Sequence, residues 1–166
     1  MFTEKFAREF IERQHAEYYQ RLLQLAEPYA LRLPELPTIQ IVDSVFVHCG
    51  QYNPRENVCQ YSLPYCVYDG SGYVITIAHE LCHAFADCIN VNGAAHGAEF
   101  KFLISLALPD CDPDKEVYHN YPIARVMDIA EQLKAARGGV SSTMSFISKR
   151  KSITDLRKEL QEKQRQ

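Results

Sequence analysis

The stretch H-E-L-C-H at residues 79–83 lies inside the apolar run 74–89. In an α-helix, His79 and His83 lie about 40° apart in azimuth and about 6 Å apart along the axis, so both imidazoles can reach one metal ion. Glu80 points about 100° away from His79, where its carboxylate can contact a water on that ion. This division between nitrogen ligands and a carboxylate base is typical of zinc hydrolases.

The other face of the same helix is apolar, which indicates that one side packs on a core and the other borders a cleft. The apolar face consists of Ile77, Leu81, Phe85 and Cys88. The alternative is a buried helix whose two histidines are satisfied by hydrogen bonds alone. A third ligand decides between these interpretations.

Two candidates for the third ligand lie in H-G-A-E-F at residues 96–100. A metzincin requires glycine and histidine where this chain has Ala86 and Ile89, so that class is excluded. A gluzincin uses a glutamate from the next helix. Glu99 is available, although it lies closer to the second histidine than is usual in those enzymes. The residues alone leave His96 and Glu99 open as alternatives.

The segments H-E-L-C-H-A at 79–84 and H-G-A-E-F at 96–100 resemble the SprT/Spartan family of zinc metallopeptidases. Members of that family read H-E-x-x-H followed by H-G-x-x-F or H-G-P-E-F, and the resemblance is strongest over 75–102. It implies that Zn²⁺ is the cofactor, that Glu80 is the general base, and that Glu99 orients a ligand or caps its helix. The zinc ligands implied by the resemblance are His79, His83 and His96.

The implied activity is that of an endopeptidase in which Glu80 takes a proton from a zinc-bound water and returns it to the leaving amine. Asp87 lies four residues after His83 and is a second candidate for orienting a ligand through its free ring nitrogen. Candidates for stabilising the transition state are Tyr118, His119 and Tyr121. The alternative function is a catalytically silent zincin-like module that binds metal and serves as a binding or assembly protein.

Length and composition indicate one globular domain, with 166 residues of which 46% are hydrophobic and 23% charged. We expect a small α+β, zincin-like fold with a short antiparallel sheet, in which the strand over 58–63 is the edge that an extended substrate joins. The segment 49–57 is read as a turn. The expected elements are a helix over 4–27 capped by Thr3, strands over 38–48 and 58–63, the H-E-x-x-H helix from residue 73 or 74, and helices over 95–108 and 122–137.

Charge is distributed unevenly along the chain. Residues 1–133 contain nine Lys and Arg against 18 Asp and Glu, whereas residues 134–166 contain nine against three. We therefore expect a SprT-like metallopeptidase domain over 1–138 and a flexible basic tail with a short helix over 139–166. The expected partners are a protein or peptide substrate and single-stranded or double-stranded DNA bound by the tail.

In the SprT/Spartan family, substrates are proteins on or near DNA, and many members carry a Cys-rich zinc ribbon. This chain departs from that pattern, since its last 28 residues contain no cysteine. Its six cysteines are expected to be reduced, because no signal peptide is recognised and no apolar run reaches the length of a membrane span. These features predict a cytoplasmic protein without a membrane partner, with nuclear or nucleoid association as alternatives.

Overall fold

The computed structural model describes residues 1–29, 32–45, 48–90, 93–112 and 121–138. Over these residues the fold is mixed α+β, with helices packed against a three-stranded sheet. The predicted fold class is confirmed at this level.

Helix α1 covers Glu4–Ala26 and begins at the expected N-cap, where the Thr3 hydroxyl accepts a hydrogen bond from the backbone N–H of Phe6 at 3.3 Å. An apolar stripe along one face of the helix is buried, although Phe6, which has the predicted three- and four-residue spacing, is 44% exposed. The buried members of this stripe are Ala7, Phe10, Ile11, Tyr19, Leu22 and Ala26. The predicted helix over 4–27 is therefore confirmed to within one residue.

The sheet contains β1 (Thr38–Val42), β2 (Gly50–Asn53) and β3 (Val58–Ser62), in the order β1-β3-β2. Strand β1 pairs with β3 in parallel, and β2 pairs with β3 antiparallel. The prediction of an antiparallel sheet is therefore wrong, because the sheet is mixed. The prediction that 58–63 forms an edge is also wrong, since β3 is the central strand.

Both predictions about the sheet fail because residues 50–53, within the segment predicted as a turn, form strand β2. Gly50 and Asn53 have low strand propensity, but pairing with β3 outweighs that preference. The first strand is also shorter than predicted, ending at Val42 instead of residue 48.

Helix α2 (Leu63–Asp69) follows β3 directly and includes Leu63, the last residue of the strand predicted over 58–63. Proline is favoured in the first turn of a helix because its missing N–H has no partner there. A 3-10 helix over Gly70–Tyr73 leads into α3 (Val74–Ile89). The start of α3 is confirmed.

Helix α4 covers Ala98–Ala107 and begins three residues later than predicted, with Gly97 at its N-cap. His96 therefore precedes the helix and does not lie in its first turn. Helix α5 covers Ile123–Ala136, in agreement with the predicted helix over 122–137.

Helix α3 lies at the centre of the core and contacts α1, α4 and β2. The four apolar residues predicted for its packing face are all buried. All six cysteines are free thiols. Within the described ranges, no helix combines the length and the apolar character needed to cross a bilayer.

The chain divides into a compact unit of residues 1–135 and a second unit of residues 136–166. The tail predicted over 139–166, with its short helix, lies outside the described residues. The same is true of Tyr118 and His119.

Candidate metal centre

Three histidines converge with their ring nitrogens facing one another. The Nε2 atoms of His79 and His83 are 3.2 Å apart, and the Nε2 atoms of His79 and His96 are also 3.2 Å apart. One ligand atom from each ring lies within 4.8 Å of the other two. Two of the rings come from successive turns of α3, as the i, i+4 spacing predicts. The structure thus brings together all three residues of the predicted ligand set.

A tight turn before α4 delivers the third histidine. The backbone N–H of Gly97 donates to the Ala94 carbonyl at 2.8 Å, and a Cβ on Gly97 would lie only 3.0 Å from that oxygen. The Asn90 side-chain amide donates to the Glu99 carboxylate at 3.0 Å, which ties the end of α3 to the start of α4. His96 is held between these two bonds.

Phe100 contacts all three imidazoles. Its ring is stacked on His83 with centroids 4.5 Å apart, and it meets His79 and His96 edge-on at 4.8 Å each. Because Phe100 is buried in the core and lies in the first turn of α4, the three rings pack against a rigid apolar surface.

The ring of His83 is fixed by a hydrogen bond to the backbone carbonyl of Ala95. Burial and the neighbouring His96 lower the pKa of His83 to about 4, despite this hydrogen bond. The ring is therefore neutral near pH 7. With its one N–H committed to Ala95, the remaining ring nitrogen offers a lone pair to an ion.

Two of the three nitrogen separations in the cluster agree with those around a tetrahedral ion, and the third is known only to lie within 4.8 Å. Zinc–nitrogen distances of about 2.0–2.1 Å at tetrahedral angles place neighbouring nitrogens about 3.3 Å apart. The two Nε2 separations of 3.2 Å match that value. Lone pairs that face one another at this distance repel unless a proton or a cation lies between them. The group of His79, His83 and His96 can therefore hold a metal ion.

Glu80 is buried, with 7% of its surface exposed. Burial raises the pKa of Glu80 to about 8, while a hydrogen bond from the backbone N–H of Tyr52 opposes the rise. Strand β2 comes close enough that a Cβ on Gly50 would lie 3.1 Å from Glu80 Cγ and 2.8 Å from Thr76 Cγ2. The carboxylate is thus fixed between α3 and the backbone of β2.

Glu99 lies in the first turn of α4, and its bond from Asn90 holds the pKa of its carboxyl below the usual value. The Glu99 carboxylate therefore connects the start of α4 to the end of α3 through Asn90, and its predicted role in orienting a ligand or capping its helix stays a prediction. Asp87 is half-buried beside Tyr52, and burial raises the pKa of the Asp87 carboxyl.

Tyr121 donates its hydroxyl to the Asp69 carboxylate at 2.8 Å and packs against the rings of Tyr65 and Tyr68. A hydrogen bond with Thr76 connects it to the turn of α3 that precedes Glu80. Burial and the bond to Asp69 raise the pKa of Tyr121. Of the three candidates for transition-state stabilisation, it is the one within the described residues.

The sequence interpretation missed the surroundings of Glu80. Tyr52 and Gly50 belong to the strand that was read as a turn, and Thr76 forms a contact of 3.3 Å with the Cys49 thiol. The four residues Gly-Gln-Tyr-Asn at 50–53 show no alternation that would distinguish a strand from a turn.

Comparison with protein-family models, with curated proteins and with solved structures finds no match to this chain.

Proposed function

We propose that the protein is a zinc-dependent endopeptidase with a zincin-like fold, related to the SprT/Spartan metallopeptidases. The observation that carries the proposal is the convergence of three histidine nitrogens, together with a buried glutamate that directly follows the first of these histidines in sequence. A metal site that is purely structural has no need for this carboxylate.

Zinc is the ion that best fits the ligand set. Imidazole nitrogens also suit copper, iron and nickel, but three neutral histidines that leave a fourth tetrahedral position open are typical of catalytic zinc. When bound, zinc supplies Lewis acidity toward a water and a peptide carbonyl.

The chain itself supplies the base and the orientation of the ligands. The Glu80 carboxylate accepts a proton from the attacking water and later delivers it to the leaving amine nitrogen. Its burial excludes bulk solvent, and the Tyr52 N–H holds the carboxylate in one position. A cation beside Glu80 favours its charged form and so opposes the effect of burial on its pKa.

We place the peptide substrate beside β2, because this strand borders Glu80 and lies at one edge of the sheet. Main-chain hydrogen bonds along a strand require no particular side chains, so cleavage with little sequence preference is expected. Substrates associated with DNA, and DNA contact through residues 139–166, remain predictions from the sequence.

The alternative, a silent zincin-like module that serves in binding or assembly, also uses the three histidines. The two functions differ in their need for Glu80. We therefore propose to compare wild-type protein with Glu80→Gln for zinc content and for casein cleavage. The amide is nearly isosteric but cannot take up the proton, so we expect unchanged zinc and loss of cleavage by a factor of about 10² or more.

Glu17→Gln, on the exposed surface of α1, is the control with the same chemical change. Cleavage by Glu80→Gln at the wild-type rate would exclude Glu80 as the base. Absence of cleavage by the wild-type protein loaded with zinc would favour the binding module.

A further inference from the structure

The hydroxyl group of Tyr73 lies where the start of α3 meets β2 and β3. Tyr73 is the N-cap residue of α3 and is fully buried. Its hydroxyl donates a hydrogen bond to the Cys49 carbonyl at 2.5 Å and accepts one from the Ser62 N–H at 3.0 Å. The same Ser62 N–H also donates to the Cys49 carbonyl at 3.2 Å. A side chain from α3 therefore shares the hydrogen bonds that join the residue before β2 to the last residue of β3.

The bond between Ser62 and Cys49 shows which backbone groups of β2 face the partner strand. In an antiparallel pair, alternate residues direct both their N–H and their C=O toward the other strand. Because Cys49 bonds to Ser62, residues 49, 51 and 53 face β3. The N–H of Tyr52 therefore points away from β3, and it donates to the Glu80 carboxylate. This bond depends on β2 keeping its present position beside α3.

The start of α3 holds Cys49 by two groups. Tyr73 bonds to its carbonyl, and the buried Thr76, in the first turn of α3, places a hydroxyl 3.3 Å from its thiol. The next residue of the strand, Gly50, then passes so close to the helix that a Cβ on it would lie 3.1 Å from Glu80 Cγ. The contacts to Cys49 therefore fix the point at which β2 begins its course beside Glu80.

We propose that Tyr73 is a positioning residue for Glu80, acting through Cys49 and β2. The Tyr73 hydroxyl fixes Cys49, and the strand that follows places the Tyr52 N–H where it orients the Glu80 carboxylate. A general base must lie within hydrogen-bond reach of the proton it takes, so a displacement on the order of 1 Å lowers the rate. The catalytic effect rests on the proposed endopeptidase function, whereas the hydrogen bond at Tyr52 can be measured without it.

The first test follows amide hydrogen exchange by nuclear magnetic resonance in the isotope-labelled, zinc-loaded full chain. The Tyr52 amide of the wild-type protein should be protected although it faces away from β3, and Glu80→Ala should remove that protection. Tyr73→Phe should speed exchange at Tyr52 about fivefold or more relative to the amide of Leu22 in α1, as expected for the loss of one buried hydrogen bond.

Tyr61→Phe is the matched control. It removes the hydroxyl of another fully buried tyrosine, which bonds to His15 at 2.9 Å. Both variants should destabilise the fold, since each leaves a buried polar group without one of its partners. Tyr61→Phe should nevertheless leave the ratio of Tyr52 to Leu22 exchange unchanged.

The second test measures casein cleavage. Tyr73→Phe should lower kcat about tenfold without loss of zinc, whereas Tyr61→Phe, corrected for the folded fraction, should keep the wild-type kcat. In the Glu80→Gln background, Tyr73→Phe should reduce the residual cleavage less than about twofold, because a group that acts through Glu80 has no further effect once the base is removed. A role in stability alone would lower cleavage by the same factor in both backgrounds.

Far-ultraviolet circular dichroism checks that each variant is folded. If Tyr73→Phe does not fold, Cys49→Ala removes the thiol contact with Thr76 and should speed exchange at Tyr52 relative to Leu22 about twofold.

Rapid exchange of the Tyr52 amide in the wild-type protein would overturn the proposal. So would an unchanged ratio of Tyr52 to Leu22 exchange in Tyr73→Phe, or equal proportional losses of cleavage in the two backgrounds. Absence of casein cleavage by the zinc-loaded wild-type protein would instead refute the proposed function, and the exchange measurements would still decide whether Tyr73 positions Glu80.

Discussion

Gly50→Ala tests how tightly β2 packs against the helix that carries Glu80. The added Cβ would lie 2.8 Å from the Thr76 Cγ2, where ordinary contacts begin near 3.4 Å, so the two carbons must separate by about 0.6 Å. Neither atom belongs to a long flexible side chain, so the strand or the helix must shift. Overpacking of this kind costs about 1–3 kcal/mol. We expect a corresponding decrease in the free energy of unfolding in urea, and a melting temperature lowered by about 2–12 °C.

Thr76→Ser provides the matched control, because it removes the Cγ2 methyl and keeps the hydroxyl that contacts the Cys49 thiol at 3.3 Å. Alone it should cost about 0.5–1.5 kcal/mol, as for the loss of one buried methyl. Combined with Gly50→Ala it should cost less than the sum of the two single losses, because the Cγ2 contact is removed while the approach of the new Cβ to Glu80 Cγ at 3.1 Å remains. We expect a coupling of about 1 kcal/mol. If the two losses simply add, the close approach of β2 to α3 is not the cause and the reasoning is refuted.

Two further predictions concern residues that support the site and the core. Phe100→Leu removes the ring beneath the three histidines and should weaken zinc binding about tenfold in a chelator competition. Phe85 is also buried, on the other face of α3, so Phe85→Leu should destabilise the fold without changing zinc affinity. Equal losses of zinc affinity in both variants would contradict the role of Phe100. His15 is buried between the Tyr61 hydroxyl and the Pro37 carbonyl, and burial lowers its pKa. The unfolded chain therefore takes up a proton below about pH 6.5 that the folded chain does not, so metal-free protein should lose stability as the pH falls from about 7.5 to about 5. His15→Gln should show a smaller loss in urea denaturation over that range, and an identical loss would exclude His15 as a contributor.

Local periodicity accounts for the parts of the fold that the sequence predicts correctly. The spacing of apolar residues over 4–27 and 74–89 gives the helices and their buried faces, since both depend on contacts within one or two turns. The two histidines of α3 follow from the same geometry. The position of His96 beside them required the resemblance to a known motif.

The features that the sequence did not predict depend on contacts distant in the chain. The order β1-β3-β2 places β3 at the centre because β2 turns back on one side of it and β1 pairs in parallel on the other. Neither pairing leaves a pattern in the residues themselves. The burial of Glu80 also depends on a contact distant in the chain, because Tyr52 lies in β2, a strand whose residues resemble a turn.

Metal analysis tests the central claim most directly. Protein purified without chelators and dialysed against metal-free buffer should contain about one zinc ion per chain by inductively coupled plasma mass spectrometry. His96→Ala should lose most of that zinc, whereas His48→Ala, which removes an exposed histidine outside the cluster, should retain it. A zinc content near zero in the wild-type protein, or an unchanged content in His96→Ala, would contradict the assignment of the three histidines as a zinc site.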